Sequence, residues 1–261
     1  MSPNVSLHHR LDGPPRGPVI LLSNSLATTI AMWEPQLHAL TRTHRVLRYD
    51  HPGHGGSAPS GGTVTLRELA LDVASMLERL GIDRVSGCGL SLGGMVLLQL
   101  ASDHPKLVDR LVVTSTSARL GAPAFWEERA DLVRREGLGE IAETIVGRWF
   151  TPGFAAARPD VVARGLAMVR STDPGTYAAL AELLAAADLT RSLRSIDTPT
   201  LAIAGAGDVA IPPDHTDKIA DGMPEGSALR IPDAAHLVNL ERPVAFTRAV
   251  MRHLEVDPAE E

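Results

Sequence analysis

A serine, an aspartate and a histidine stand in this chain in the order and settings that acyl transfer needs. Ser91 is the middle of Gly89-x-Ser91-x-Gly93, within Val85-Ser86-Gly87-Cys88-Gly89-Leu90-Ser91-Leu92-Gly93-Gly94-Met95. This is the pattern of a nucleophile elbow, in which a strand turns sharply into a helix and holds the middle residue on a strained tip. Glycines flank it because a side chain there would meet the neighbouring strand and helix. A serine hydroxyl is a poor nucleophile at neutral pH. It needs a histidine to take its proton and a carboxylate to hold that histidine in the right tautomer. Asp208 ends the run Leu201-Ala202-Ile203-Ala204-Gly205-Ala206-Gly207-Asp208, and His236 ends Ile231-Pro232-Asp233-Ala234-Ala235-His236. Each reads as a buried strand followed by an exit loop. Asp214 and Asp233 are rival acids: Asp214 follows Pro212-Pro213 as a helix-start residue, and Asp233 is close enough to His236 for a turn role.

An acyl-transfer site also needs donors for the negative oxygen of the tetrahedral intermediate. The N–H of Leu92, at the start of the helix after Ser91, is one. The N–H of Leu26, in the loop Asn24–Thr29, is the other, with Ser25 beside it as a substrate contact. Taken alone, each of these residues has an ordinary role: a glycine-rich turn with an idle serine, a solvated turn aspartate, a loop histidine. All three in order, each after a strand, make the chemical reading the stronger one.

These positions require strands alternating with helices. Pro18 to Ser23, Arg45 to Tyr49, Leu111 to Val113, Pro199 to Ala204 and Ala228 to Ile231 are short apolar or β-branched runs that read as strands. Asn4 to Arg10 reads as an edge strand closed by Asp12-Gly13-Pro14-Pro15. Met32 to Leu40 reads as a short helix. Thr65-x-x-Glu68 is a capping box, with Leu66, Leu69, Ala70, Val73, Leu77 and Leu80 following at helical spacing and Gly81 as the stop. Met95 to Ala101 is apolar on nearly every side, as in a buried helix. Val244 to Leu254 is a closing amphipathic helix with Pro243 at its start. From about Ser117 to Thr190 the pattern changes to helices broken at Gly121, Gly137-Leu138-Gly139, Thr151-Pro152-Gly153 and Asp173-Pro174-Gly175. The expected architecture is α/β: a mostly parallel twisted sheet with helices on both faces and an inserted helical lid. Its parts are residues 1–117, the lid at 118–190, and residues 191–261. Ligands bind such sheets beyond the C-terminal strand ends, where every suggestive stretch here falls.

Composition narrows the function. The 261 residues suit one large domain. A 44% hydrophobic content supplies a core, and a net charge of −6 with mixed signs argues against nucleic acid as a partner. No apolar run reaches the roughly 18 residues of a membrane span, and Met1 to Pro18 lacks the apolar core of a signal peptide. With one cysteine, Cys88, an intrachain disulfide is excluded, and a cytoplasmic setting is expected. Cys88 itself reads as a small buried apolar residue. Gly87-x-Gly89-x-x-Leu92 lacks the third glycine of a dinucleotide fingerprint. His8-His9, His51 and His54 have no acidic or cysteine partners that would complete a metal set. No cofactor or metal is therefore expected. The tail Glu255 to Glu261 reads as a frayed acidic end, and self-association into a homo-oligomer is compatible with the sequence.

The elbow, the loop Asp50-His51-Pro52-Gly53-His54-Gly55-Gly56-Ser57, Gly205-x-x-Asp208 and Ala235-His236-x-x-x-x-Glu241-x-Pro243 together resemble the α/β-hydrolase superfamily. Leu22 to Thr28, Arg45 to Asp50 and Arg148-Trp149-Phe150-Thr151-Pro152-Gly153-Phe154 resemble the 3-oxoadipate enol-lactonases within it, over nearly the whole chain. Many members carry His-Gly where this chain has Asn24-Ser25, and His51-Pro52 replaces the pair expected before Gly53. The resemblance implies a lid over Ser91 and a small enol-lactone substrate bearing a carboxylate, opened to 3-oxoadipate. An anionic substrate needs cations or N–H donors. Arg119, Arg129, Arg134, Arg135 and Arg148 are available in the lid, with Trp126, Arg148 and Trp149 as pocket-lining candidates. Another ester, lactone or C–C bond as substrate is a second reading. A ligand receptor on a near-silent hydrolase fold is a third.

Overall fold

The computed structural model describes residues 6–254; the acidic tail lies outside them. Seven strands form one sheet: β1 (His9–Asp12), β2 (Val19–Ser23), β3 (Arg45–Tyr49), β4 (Val85–Leu90), β5 (Val108–Thr114), β6 (Thr200–Gly205) and β7 (Gly226–Ile231). Their order is β1-β3-β2-β4-β5-β6-β7, with β1 antiparallel to β3 and every other pairing parallel. The strand order reverses around β2 and β4, so the loops after them open into one crevice. The helices are α1 (Glu34–Leu40), α2 (Leu66–Arg79), α3 (Leu92–Asp103), α4 (Pro123–Glu136), α5 (Ala142–Val146), α6 (Pro152–Ala157), α7 (Pro159–Ser171), α8 (Pro174–Ala186), α9 (Asp214–Gly222), α10 (Val238–Glu241) and α11 (Pro243–Leu254). Among the described residues, no helix is long and apolar enough to cross a membrane.

Local chemistry explains most of these boundaries. At α2 the Thr65 hydroxyl accepts from the Glu68 N–H at 3.2 Å, and the Glu68 carboxylate accepts from the Thr65 N–H at 2.9 Å. This reciprocal cap satisfies two otherwise free donors. Strands β2 and β4 are buried nearly end to end, as parallel strands covered on both faces must be. α3 is buried on all sides and sits behind β4.

The inserted segment holds α4 to α8. Thr151 and Asp173 cap α6 and α8 by accepting from Phe154 and Thr176 N–H groups, and Gly137 ends α4 at φ 76°. The insertion has its own apolar interior, with Ala130, Val133, Tyr177 and Leu180 buried between α4 and α8.

Several boundaries shift by one to three residues from the sequence reading, and two elements near the N-terminus depart from it further. The edge strand is His9–Asp12, where Asn4 to Arg10 was expected; residues 1–5 lie outside the described set. His8 is used differently: its N–H donates to Ser57 Oγ at 2.9 Å and its ring bonds Asp50 at 2.7 Å. The expected helix from Met32 to Leu40 is split. Ile30–Trp33 is a 3₁₀ turn capped by the Thr29 hydroxyl, and the α-helix starts at Glu34. Pro35 has no N–H to continue an α-ladder back to Ala31, which explains the break.

Candidate active site

Ser91 sits between β4 and α3 at φ 55° and ψ −117°, a conformation that L-residues rarely adopt. Its N–H donates to the Thr114 carbonyl on β5 at 2.8 Å, and its own carbonyl accepts from the Thr116 hydroxyl at 2.7 Å. The two glycines of the motif permit this turn. A Cβ on Gly89 would lie 2.4 Å from the Gly93 carbonyl oxygen, and one on Gly93 would lie 2.1 Å from that of Ser23. The pattern is thus set by backbone approaching backbone, with no slack for a methyl group.

Asp208 and His236 come from the exits of β6 and β7. Both are almost fully buried, and Asp208 Oδ2 lies 2.9 Å from His236 Nδ1. Asp208 Oδ1 accepts from the N–H groups of Ala210 and Ile211 at 2.8 and 2.9 Å. The carboxylate is therefore fixed in rotation and leaves one oxygen for the imidazole. The rival acids are elsewhere. Asp214 pairs with Arg230 at the exposed start of α9, and the exposed Asp233 carboxylate pairs with Arg242.

Ser91 and His236 line one cavity of about 270 Å³ together with Ser25, Leu26, Leu120, Gly121, Ala122, Phe125, Trp126, Arg129, Ile145, Arg148, Trp149, Tyr177, Leu184, Ala210 and Ile211. Every sequence-proposed contact residue, Ser25, Trp126, Arg148 and Trp149, faces this space. The N–H groups of Leu26 and Leu92 make no hydrogen bond to another described residue. Of the five candidate lid arginines, only Arg129 and Arg148 reach the cavity. Arg119 pairs with Asp188, Arg134 pairs with Glu182, and Arg135 is solvent-exposed. Arg129 lies over the Phe125 ring, 4.7 Å from its centroid. Arg148 donates to the Val209 carbonyl at 2.7 Å. The lining holds two guanidinium groups and no carboxylate.

The loop carrying Leu26 is held by histidines that sequence reading set aside. His54 Nε2 accepts from the Ala27 N–H at 2.9 Å, and its Nδ1 lies 2.8 Å from the Pro52 carbonyl. Only a neutral ring with its proton on Nδ1 satisfies both. His51 Nε2 donates to the Asn24 carbonyl at 2.9 Å. Burial lowers both pKa values, to about 3 for His51. Asn24 also bridges the Trp33 indole and the Tyr49 carbonyl. Asp50 Oδ1 accepts from the Ile30 N–H at 2.8 Å. Asn24 therefore serves as an anchor in place of a His-Gly pair. Burial pushes the Cys88 thiol up, which keeps it protonated beside the elbow.

Among the lining residues that sequence reasoning missed are Leu120, Phe125, Ile145, Tyr177, Leu184, Ala210 and Ile211. Phe125 sits one helical turn before Arg129 on α4, a spacing the sequence displays. Tyr177 and Leu184 lie on α8, which is apolar on most sides and gives no hint of which face meets a cavity.

A mostly parallel sheet with an elbow serine after a central strand, and an acid and a histidine after two later strands, defines the α/β-hydrolase class. The chain belongs to that family: the family model for the alpha/beta hydrolase fold matches residues 18–243. Its relatives narrow the chemistry. It is 35% identical to 3-oxoadipate enol-lactonase 2 of Acinetobacter baylyi over 252 residues, 95% of this chain and 92% of that protein. It matches the crystal structure of the enol-lactonase from Burkholderia xenovorans LB400 with a TM-score of 0.94 and 37% identity, covering 97% of this chain and 98% of that one. A hydrolase from Pseudomonas aeruginosa PA01 matches with a TM-score of 0.93 and 41% identity over 97% of this chain and 95% of that one. A protein of Agrobacterium fabrum named for carbamate hydrolysis is 27% identical over 96% of this chain and 97% of its own. The protein is an ester or lactone hydrolase.

Proposed function

We propose that the protein opens 3-oxoadipate enol-lactone to 3-oxoadipate, a step of the β-ketoadipate route of aromatic catabolism, in the cytoplasm and without a cofactor. One observation carries the reading. Ser91 and His236, with Asp208 behind the histidine, meet in a small cavity lined by Arg129, Arg148 and no carboxylate. The cavity suits a small anionic ring, and the likeness to two enol-lactonases over nearly the full chain supports the same substrate.

Asp208 accepts a hydrogen bond from the Nδ1–H of His236, which fixes the tautomer with Nε2 unprotonated toward the cavity. Ser91 Oγ attacks the lactone carbonyl as Nε2 takes its proton. The carbonyl oxygen becomes an oxyanion held by the Leu26 N–H from the loop after β2 and by the Leu92 N–H at the start of α3. Collapse breaks the bond to the ring oxygen, which leaves as an enolate and receives the proton from His236. The enol then tautomerises to the ketone. Water, deprotonated by His236, attacks the acyl-enzyme and releases the acid with Ser91 restored. Arg129 and Arg148 hold the substrate carboxylate, and Trp126, Trp149 and Ser25 shape the space around the ring.

The test follows ultraviolet loss of the enol-lactone, with p-nitrophenyl acetate as a neutral ester. Fast enol-lactone turnover that vanishes in Ser91→Ala is the expected result. Arg148→Gln and Arg129→Gln should raise KM for the lactone about tenfold or more, the loss of one charge-assisted contact, and leave the neutral ester nearly unaffected. Ester cleavage without lactone turnover would reject the substrate; hydrolysis of a carbamate in the same panel would replace it. Silence on all substrates, with no labelling of Ser91 by a fluorophosphonate, would favour a binding protein.

A further inference from the structure

Both chain neighbours of His236 are tied to the inserted segment. The Ala235 N–H donates to Glu241 Oε2 at 2.9 Å. The same carboxylate accepts from the Thr151 N–H at 3.2 Å and from the Thr151 hydroxyl. On the other side of the histidine, the Leu237 N–H donates to the Trp149 carbonyl at 3.0 Å. Arg148 and Trp149 line the cavity, and Trp149 is itself one of these anchors. The opposite face of the histidine loop is held by the sheet: the Gly207 N–H donates to the Ala234 carbonyl at 2.8 Å, and the Ala206 N–H to that of Ile231 at 2.9 Å.

Glu241 is only 5% exposed. Burying a carboxylate is costly unless donors fill its lone pairs. Here the donors come from two separate places, the histidine loop and the start of α6. A carboxylate shared in this way transmits the position of one segment to the other. The catalytic steps proposed above make no use of Glu241.

We propose that Glu241 is a positioning residue that locks the His236 loop to the lid segment at 149–151, so that Nε2 is aligned with Ser91 only while that segment is seated. The proposal rests on the reading of His236 as the base. It makes rate, rather than substrate affinity, the quantity Glu241 controls. A loop that shifts by about an ångström costs up to about a hundredfold in rate even when binding is intact.

The test uses the full chain with p-nitrophenyl acetate, a substrate too small to depend on the lid for affinity, and measures kcat, KM and Tm for each variant. In Glu241→Ala, water from the surface depression lined by Thr151, Asp233 and Arg242 can reach the freed N–H groups, so the fold survives. Its kcat should fall about 30- to 100-fold with KM within about twofold. Glu241→Gln should recover most of the rate, because its oxygen can serve the Ala235 N–H while its NH₂ faces the Thr151 hydroxyl. Thr151→Val, which removes the hydroxyl's bond to Glu241 together with the α6 cap and leaves the Thr151 N–H in place, should lower kcat about 3- to 10-fold, and Thr151→Ser, which keeps both hydroxyl contacts, should restore it. The proposal is overturned if Glu241→Ala and Thr151→Val keep wild-type kcat, if the loss lies in KM alone, or if it disappears at temperatures where each variant is fully folded. A Ser91→Ala control that retained turnover would instead refute the serine mechanism beneath it.

Discussion

Asp208→Asn tests the proposed mechanism at the atom where tautomer and rate are linked. Oδ1 of Asp208 accepts two N–H groups, from Ala210 and Ile211, and Oδ2 faces His236 Nδ1. An asparagine keeps the shape but must place one NH₂ at one of these positions. At Oδ1 it would oppose two donors at 2.8 and 2.9 Å, at a cost of about 1–3 kcal/mol for each bond lost in a buried site. The amide oxygen therefore takes that position, and the NH₂ faces Nδ1. The imidazole must then accept at Nδ1 and carry its proton on Nε2, which leaves no lone pair for the Ser91 proton. We expect kcat/KM for p-nitrophenyl acetate to fall by about 10⁴, or about 5 kcal/mol of transition-state stabilisation. Tm should stay near wild type, since every buried donor keeps a partner. Asp208→Ala should lose both activity and stability, because it orphans three buried groups. Proton NMR gives a second readout: the Nδ1 proton resonance of His236 should vanish in Asp208→Asn. Activity within tenfold of wild type, with that resonance intact, would refute the assignment of Asp208 as the group that sets the tautomer.

Ser91→Gly removes the nucleophile and also the strain at φ 55°, ψ −117°. Relief of about 1–3 kcal/mol, less the entropy cost of glycine of about 0.5–1 kcal/mol, should raise Tm by about 2–4 °C while turnover disappears. A lower Tm would contradict the strained elbow. Gly93→Ala goes the other way. Helix propensity alone would favour alanine by about 1 kcal/mol, but its Cβ would lie 2.1 Å from the Ser23 carbonyl oxygen. Net destabilisation of about 2 kcal/mol and a loss of kcat are expected from urea melts and ester turnover; a gain in stability would refute the close approach. Finally, His51 and His54 are held neutral by burial, with folded pKa values below the ordinary 6.5. Below that pH the unfolded chain takes up protons that the folded one does not, so stability should fall with pH by as much as about 1.4 kcal/mol per unit for each group. The urea midpoint should drop from pH 7 to 4.5, and less steeply in His54→Gln; an unchanged slope in that variant would show that His54 is not held neutral.

The amino-acid sequence by itself determined whatever depends on neighbours along the chain. The capping box at Thr65 and Glu68, the buried strands and the breaks at Gly137, Thr151 and Asp173 all follow from contacts within a few residues. The elbow is of the same kind at its centre, because Gly89 meets Gly93 only four positions away. Chain order also ranked Asp208 above Asp214 and Asp233, but only folding put a carboxylate 2.9 Å from His236 and sent the other two to arginines. Tertiary structure alone decided which arginines of the inserted segment face the cavity, since Arg119 and Arg134 are turned aside by Asp188 and Glu182 from a later stretch of chain. It also decided that His54 holds the Ala27 N–H and that Glu241 spans Thr151 and Ala235. These links join positions that no local periodicity relates. Each is a hydrogen bond a buried polar group must find somewhere, and only the packed chain specifies where.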